Sequence, residues 1–174
     1  EYYPFQRNDI TELHRLVNYL NSLTAGTDSR VYIDASGSVL NNSIIDSLDK
    51  PYGTSPLNNQ CFTADVDLRD GFPVDFLTAR IIVTTDPVQL HLAKGTQEVV
   101  RYLSEQVTDP SSPIGRHFTV APVSFQLDDG VTAHVYVKQS EFEESDLQSL
   151  ADYFTGYYPG YELLFANRIF GANE

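Results

Sequence analysis

The segment Arg80-Ile81-Ile82-Val83-Thr84-Thr85-Asp86 constrains the fold more than any other. Its apolar part is continuous, whereas a strand with one wet face alternates apolar and polar residues. Such a strand needs cover on both faces, and in a chain of 174 residues that cover is most simply helical. The flanking patterns supply helices. Ile10, Leu13, Leu16, Val17, Leu20 and Leu23 repeat at helical spacing. Asp9 with Glu12 has the spacing of a capping box, and Gly26 marks the stop. After Pro87, Thr96 opens a second helix with Val99, Val100, Leu103 and Val107 on one side. Ser140 with Glu143 opens a third, whose stripe is Leu147, Leu150, Ala151 and Phe154.

The remaining strands are shorter or paired locally. Arg30 to Ala35 is a β-rich run ending in the turn residues Ser36-Gly37-Ser38, after which Asn42 is placed to cap a short helix through Ile44, Ile45 and Leu48. Lys50 to Leu77 reads as irregular. Phe118 to Leu127 and Val131 to Lys138, joined by Asp128-Asp129-Gly130, form a hairpin. Pro122 predicts an edge position or a bulge in its first arm. The aromatic tail from Tyr157 to Phe170 is expected to pack across the sheet. These elements predict a single α/β domain over residues 1–174, with a mainly parallel sheet of about four to five strands flanked by helices and an antiparallel hairpin at one edge.

Charge excludes some partners. Eleven Lys and Arg against 24 Asp and Glu leave a formal charge of −13. A nucleic-acid binder needs a basic face to displace phosphate counterions, so nucleic acid is not an expected partner. Docking on an anionic membrane through a polybasic patch is disfavoured for the same reason. The lone Cys61 permits no internal disulfide and no thiolate zinc site. The sequence contains no methionine, which suggests an excised domain of a longer product.

Two segments carry residues of the kind that bind metal. Asp34-Ala35-Ser36-Gly37-Ser38 follows a strand and matches the Asp-x-Ser-x-Ser motif of von Willebrand A-type adhesion domains. Asp34, Ser36 and Ser38 would offer hard oxygen ligands to a divalent cation, while a turn followed by a helix cap accounts for the same residues. Asp65, Asp67 and Asp70 crowd a second loop of the Asp-x-Asp type. They are candidate ligands for Ca²⁺ or a metal–nucleotide-sugar complex. The alternative is a structural loop closed by Arg69 pairing with Asp65 or Asp67. His14, His91, His117 and His134 are scattered without metal spacing. Asp86-Pro87 followed by His91 sets a carboxylate near an imidazole, and Asn41-Asn42-Ser43 is formally a glycosylation sequon.

Several stretches together resemble one group of proteins. They are Val31-Tyr32-Ile33 with Ser36 to Asn41, Asp65 to Leu77, Asp86 to Leu92, Ile114-Gly115 with Phe118, and Leu127 to Gly130. Taken together, from about Arg30 to Tyr158, they resemble the soluble C-terminal domain of bacterial multi-span membrane glycosyltransferases of the dolichyl-phosphate-mannose–protein mannosyltransferase-like family. The resemblance implies a non-catalytic domain on the extracytoplasmic face of the cell membrane. Its partners would be the transmembrane portion of the same polypeptide and a glycan or protein acceptor. The parent would use a lipid-phosphate-linked sugar donor, and residues 1–8 would be the linker from its last membrane helix. The family's catalytic acids have no counterpart here, so no catalytic residue and no required cofactor are carried over. The alternative reading is a metal-dependent adhesion or binding module built on Asp34, Ser36 and Ser38.

Overall fold

The computed structural model describes residues 7–49, 57, 60–61 and 66–171. Among them are five strands: β1 (Val31–Ile33), β2 (Gln60–Cys61), β3 (Ile81–Asp86), β4 (Phe118–Gln126) and β5 (Thr132–Lys138). The helices are α1 (Ile10–Thr24), α2 (Asn42–Asp49), α3 (Asp67–Asp70), α4 (Asp75–Thr78), α5 (Glu98–Thr108), α6 (Glu144–Tyr157) and α7 (Ala166–Gly171). The sheet order is β2-β1-β3-β5-β4.

The fold class is the expected α/β domain, but the sheet is mixed rather than mainly parallel. β1 pairs in parallel with both β2 and β3, whereas β5 pairs antiparallel with both β3 and β4. The cause is the hairpin. Two strands joined by the short turn Asp128–Gly130, with Asp129 and Gly130 at positive φ, can only run antiparallel. The chain enters that hairpin at the outer edge and returns inward, so β5 rather than β4 lies beside β3. Pro122 sits where expected, on the edge strand β4, with the register shifting between Val120 and Ser124.

Both sheet faces are covered, as the continuous apolar run of β3 requires. Val31 and Ile33 of β1 and Ile81 and Val83 of β3 face one core with Leu13, Leu16 and Leu20 of α1 and Ile45 of α2. Tyr32 and Ile82 face the other, packed with Phe76, Leu103, Phe154 and Ile169 of α4 to α7. The aromatic tail joins this second core: the rings of Phe154 and Phe165 stack 5.1 Å apart.

Several helix starts differ from their sequence signatures. Asp9 does not cap α1 with its side chain. Its carboxylate takes a two-pronged ion pair from Arg7 and accepts the amide of Asp128 at 2.9 Å, fastening α1 to the hairpin turn. Burial opposes its charge, but these bonds hold its pKa below the ordinary aspartate value. The side-chain cap of α2 is Asn41, whose Oδ1 accepts the amide of Ile44 at 3.0 Å, and not Asn42. The capping box of α6 is Glu143 with Asp146 rather than Ser140 with Glu143. Within the segment read as irregular, α3 and α4 are single turns. No described helix is long and apolar enough to cross a membrane.

Candidate functional site

The two adjacent parallel strands β1 and β3 send their outgoing connections in opposite directions. From β1 the chain passes to β2 through α2, on the α1 face; from β3 it passes through α5, on the other face. Between their C-terminal ends the two departing loops leave a crevice, the topological switch point where open α/β sheets bind ligands. Its volume is about 340 Å³, and its lining includes Ser36, Ser38, Asn41, Asn42, Ser43 and His91.

The walls are two loops more than fifty residues apart, tied by direct hydrogen bonds. The amide of Ser36 donates to the carbonyl of Gln89 at 2.9 Å. Gly37 lies so close to the second loop that a Cβ there would stand 2.6 Å from Gln89 Oε1 and 2.9 Å from its Cβ. The hub is Gln97, 2% exposed. Its Oε1 accepts the amides of His91 and Leu92 at 3.0 and 2.8 Å, and its Nε2 donates to Ser36 Oγ at 2.6 Å. His91 Nδ1 lies 2.7 Å from the carbonyl oxygen of Ser36. A carbonyl can only accept, so Nδ1 carries a proton, and it is Nε2 that holds the lone pair whenever the ring is neutral. His91 thus pairs with Ser36 and Gln97 rather than with Asp86.

These bonds set the chemistry. Ser36 Oγ accepts from Gln97 and stands 3.5 Å from the Gln89 carbonyl, so its contacts are those of a brace. Asn41 holds the Gly37 carbonyl with Nδ2 and the α2 amide with Oδ1, which commits the sequon asparagine to the loop.

The candidate ligands Asp34, Ser36 and Ser38 are divided. Ser36 and Ser38 line the crevice. Asp34 is fully buried, and neither of its carboxylate oxygens has a hydrogen-bond partner. The parallel register that pairs Ile33 with Val83 carries Asp34 alongside Thr84, another buried residue whose hydroxyl is unpartnered. Desolvation raises the Asp34 pKa well above the ordinary aspartate value.

Of the second set, Asp65 lies outside the described residues. Asp67 is buried, and its carboxylate caps α5, accepting Glu98 N at 2.5 Å and Val99 N at 3.3 Å as well as the hydroxyl of Tyr158 at 2.6 Å. Asp70 accepts the amide of Val66 at 2.9 Å and pairs with Arg69. Gly71 turns the chain after α3 at φ +69°, where a Cβ would meet the Leu164 carbonyl at 2.7 Å. Among the described residues no group of three or more His, Cys, Asp or Glu side chains is placed to hold a metal ion.

A second polar chain was invisible to motif reading. Ser140 Oγ lies 2.8 Å from His117 Nδ1, and His117 Nε2 lies 2.8 Å from Asp146 Oδ2. Asp146 also accepts Arg116 at 2.7 Å and the amide of Glu143 at 2.7 Å. Burial opposes its charge, but these donors lower its pKa below the ordinary aspartate value. The carboxylate therefore stays ionised and accepts from Nε2–H, while Nδ1 shares a hydrogen bond with the serine hydroxyl. The arrangement ties the 3₁₀ turn Gly115–His117 to the start of α6. Asp146→Asn is expected to cost about 2 kcal/mol at neutral pH. Because the folded pKa is depressed, this contribution is present above the unfolded value and is lost as pH falls through the folded one. Thermal melts of both proteins from pH 7 to pH 2 should therefore converge at the acid end.

No protein-family model, no curated protein and no solved structure matches this chain.

Proposed function

We propose that this chain is the extracytoplasmic domain of a membrane glycosyltransferase whose sugar donor is a lipid phosphate. In this reading the domain makes and breaks no bonds itself. It stands on the outer face beside the transmembrane portion of the same polypeptide and shapes how a glycan or protein acceptor approaches. One observation carries the proposal. Two of the stretches that resemble such domains, Ser36 to Asn41 and Asp86 to Leu92, are distant in sequence yet meet as the two walls of the switch-point crevice. A third, Asp65 to Leu77, contributes the Asp67 carboxylate that caps the helix leaving the second wall. Resemblance confined to scaffold residues would have no reason to converge on one concave surface.

The test uses the parent polypeptide in membranes with a lipid-phosphate sugar donor. Deleting this domain should strongly reduce transfer to the natural acceptor, while the isolated chain should turn over no sugar donor. Transfer that is unchanged by the deletion, or a parent without membrane spans, would refute the reading.

A further inference from the structure

We infer that the switch-point crevice is a binding site for one uncharged, hydroxyl-rich ring, such as a terminal hexose of a glycan. This rests on the functional reading above only for the source of the ligand; the ligand's chemistry follows from the lining.

Among the described residues the lining supplies hydroxyls, amides and one imidazole, and contains no Lys, Arg, Asp or Glu. Serine hydroxyls and asparagine amides both donate and accept, and those of Ser38, Asn42 and Ser43 lie outside the bonds that commit Ser36 and Asn41. They match a ligand whose own groups do the same, as sugar hydroxyls do. A phosphate or carboxylate only accepts, and sites for such groups are commonly built with guanidinium or ammonium donors. A formal charge of −13 over the whole chain further disfavours an anion approaching this surface. An ammonium ligand would want carboxylates, and no described lining residue carries one.

Two lining residues offer a ligand groups of opposite kind, and one of them is unpartnered. Asn42 Nδ2 is a buried donor without a partner. His91 is locked through Nδ1 by the Ser36 carbonyl, so its neutral ring offers Nε2 as an acceptor. A buried amide donor with nothing to donate to is costly, and such groups often mark a missing ligand or water. A sugar ring carries several hydroxyls, which can satisfy a donor at one point and an acceptor at another. The volume of about 340 Å³ lies at the small end of ligand sites, which run from about 300 to 1,000 Å³, and suits one ring better than a nucleotide. The cross-loop bonds of Gln97 hold both walls in place before any ligand arrives, so little ordering is required on binding.

The experiment is a titration of the isotopically labelled 174-residue chain, followed by amide resonances, with methyl α-mannopyranoside, methyl β-glucopyranoside and inorganic phosphate in separate arms. At least one glycoside should give saturable shifts confined to residues 36–43 and 89–97, with a dissociation constant on the order of 1 mM. Phosphate should give none there. Ser43→Trp, at an exposed lining position, should abolish the shifts, and His91→Phe should weaken binding about tenfold. The amide spectrum itself reports whether each variant is folded. The inference fails if no glycoside shifts these residues at about 100 mM, or if phosphate shifts them more tightly. Glycoside binding by the chain combined with domain-independent transfer in membranes would keep this inference and reject the glycosyltransferase reading. Domain-dependent transfer without glycoside binding would do the reverse.

Discussion

Asp67→Ala is expected to lower the unfolding free energy by about 3–4 kcal/mol and the melting temperature by about 10 °C. Asp67 is fully buried and does three things at once. It caps α5 from outside by accepting the amides of Glu98 and Val99, it receives the Tyr158 hydroxyl, and its own backbone amide donates to the Thr96 carbonyl at 3.1 Å. Removing the side chain leaves two buried amides without their acceptor and the phenol with the Gly95 carbonyl alone, at 3.1 Å. An exposed cap costs about 1 kcal/mol, and a buried bond to a charged acceptor about 1.5–3 kcal/mol. Tyr158→Phe removes one of these bonds, together with the hydroxyl's contact to the Gly95 carbonyl, and should cost only about 1–2 kcal/mol. The double variant should be less destabilised than the sum of the two, because both changes delete the same contact. Denaturant titrations of the four proteins measure this coupling. A loss below about 1 kcal/mol for Asp67→Ala would show that the cap does not hold the start of α5.

Asp34→Asn should move stability the other way, raising it by about 2 kcal/mol at pH 8 and hardly at all at pH 4. Asp34 has no exposure and no partner on either oxygen, and desolvation raises its pKa. The folded state therefore holds a proton over a range where the unfolded chain has released it. In that range stability falls as pH rises, from the unfolded value upward through the folded one. Below the unfolded value both states are protonated and the slope vanishes. Asparagine keeps the shape and removes the ionisation, so its advantage should grow with pH across that window. Melting curves at pH 4, 6 and 8 decide the matter; an equal gain at all three would mean that shape and not charge is responsible. A natural sequence that keeps such a group immediately before the crevice wall accepts a stability cost beside its candidate site, as functional sites often do.

Where a feature depends on neighbours in the chain, it was legible beforehand. The buried run of β3, the stripes of α1, α5 and α6, the hairpin turn and the irregularity at Pro122 are all local patterns, and each stands where those patterns put it. The capping signatures were harder, because a polar side chain near a helix start has more than one place to go. Asp9 chose Arg7 and a hairpin amide, and Ser140 chose His117. Ser36 and Ser38 were picked out by spacing and do line the crevice, whereas Asp34, chosen by the same motif, is sealed inside.

The amino-acid order alone settled that helices must cover both faces of a sheet around β3, because a continuous apolar strand cannot face water. Only the folded arrangement decided that the sheet is mixed, that Gln97 joins two loops, and that Asp67 caps a helix beginning at Glu98. The Gln97–Ser36 and Tyr158–Asp67 contacts span 61 and 91 residues. Over such separations no periodicity survives, and which polar groups meet is set by strand order and connection path rather than by spacing.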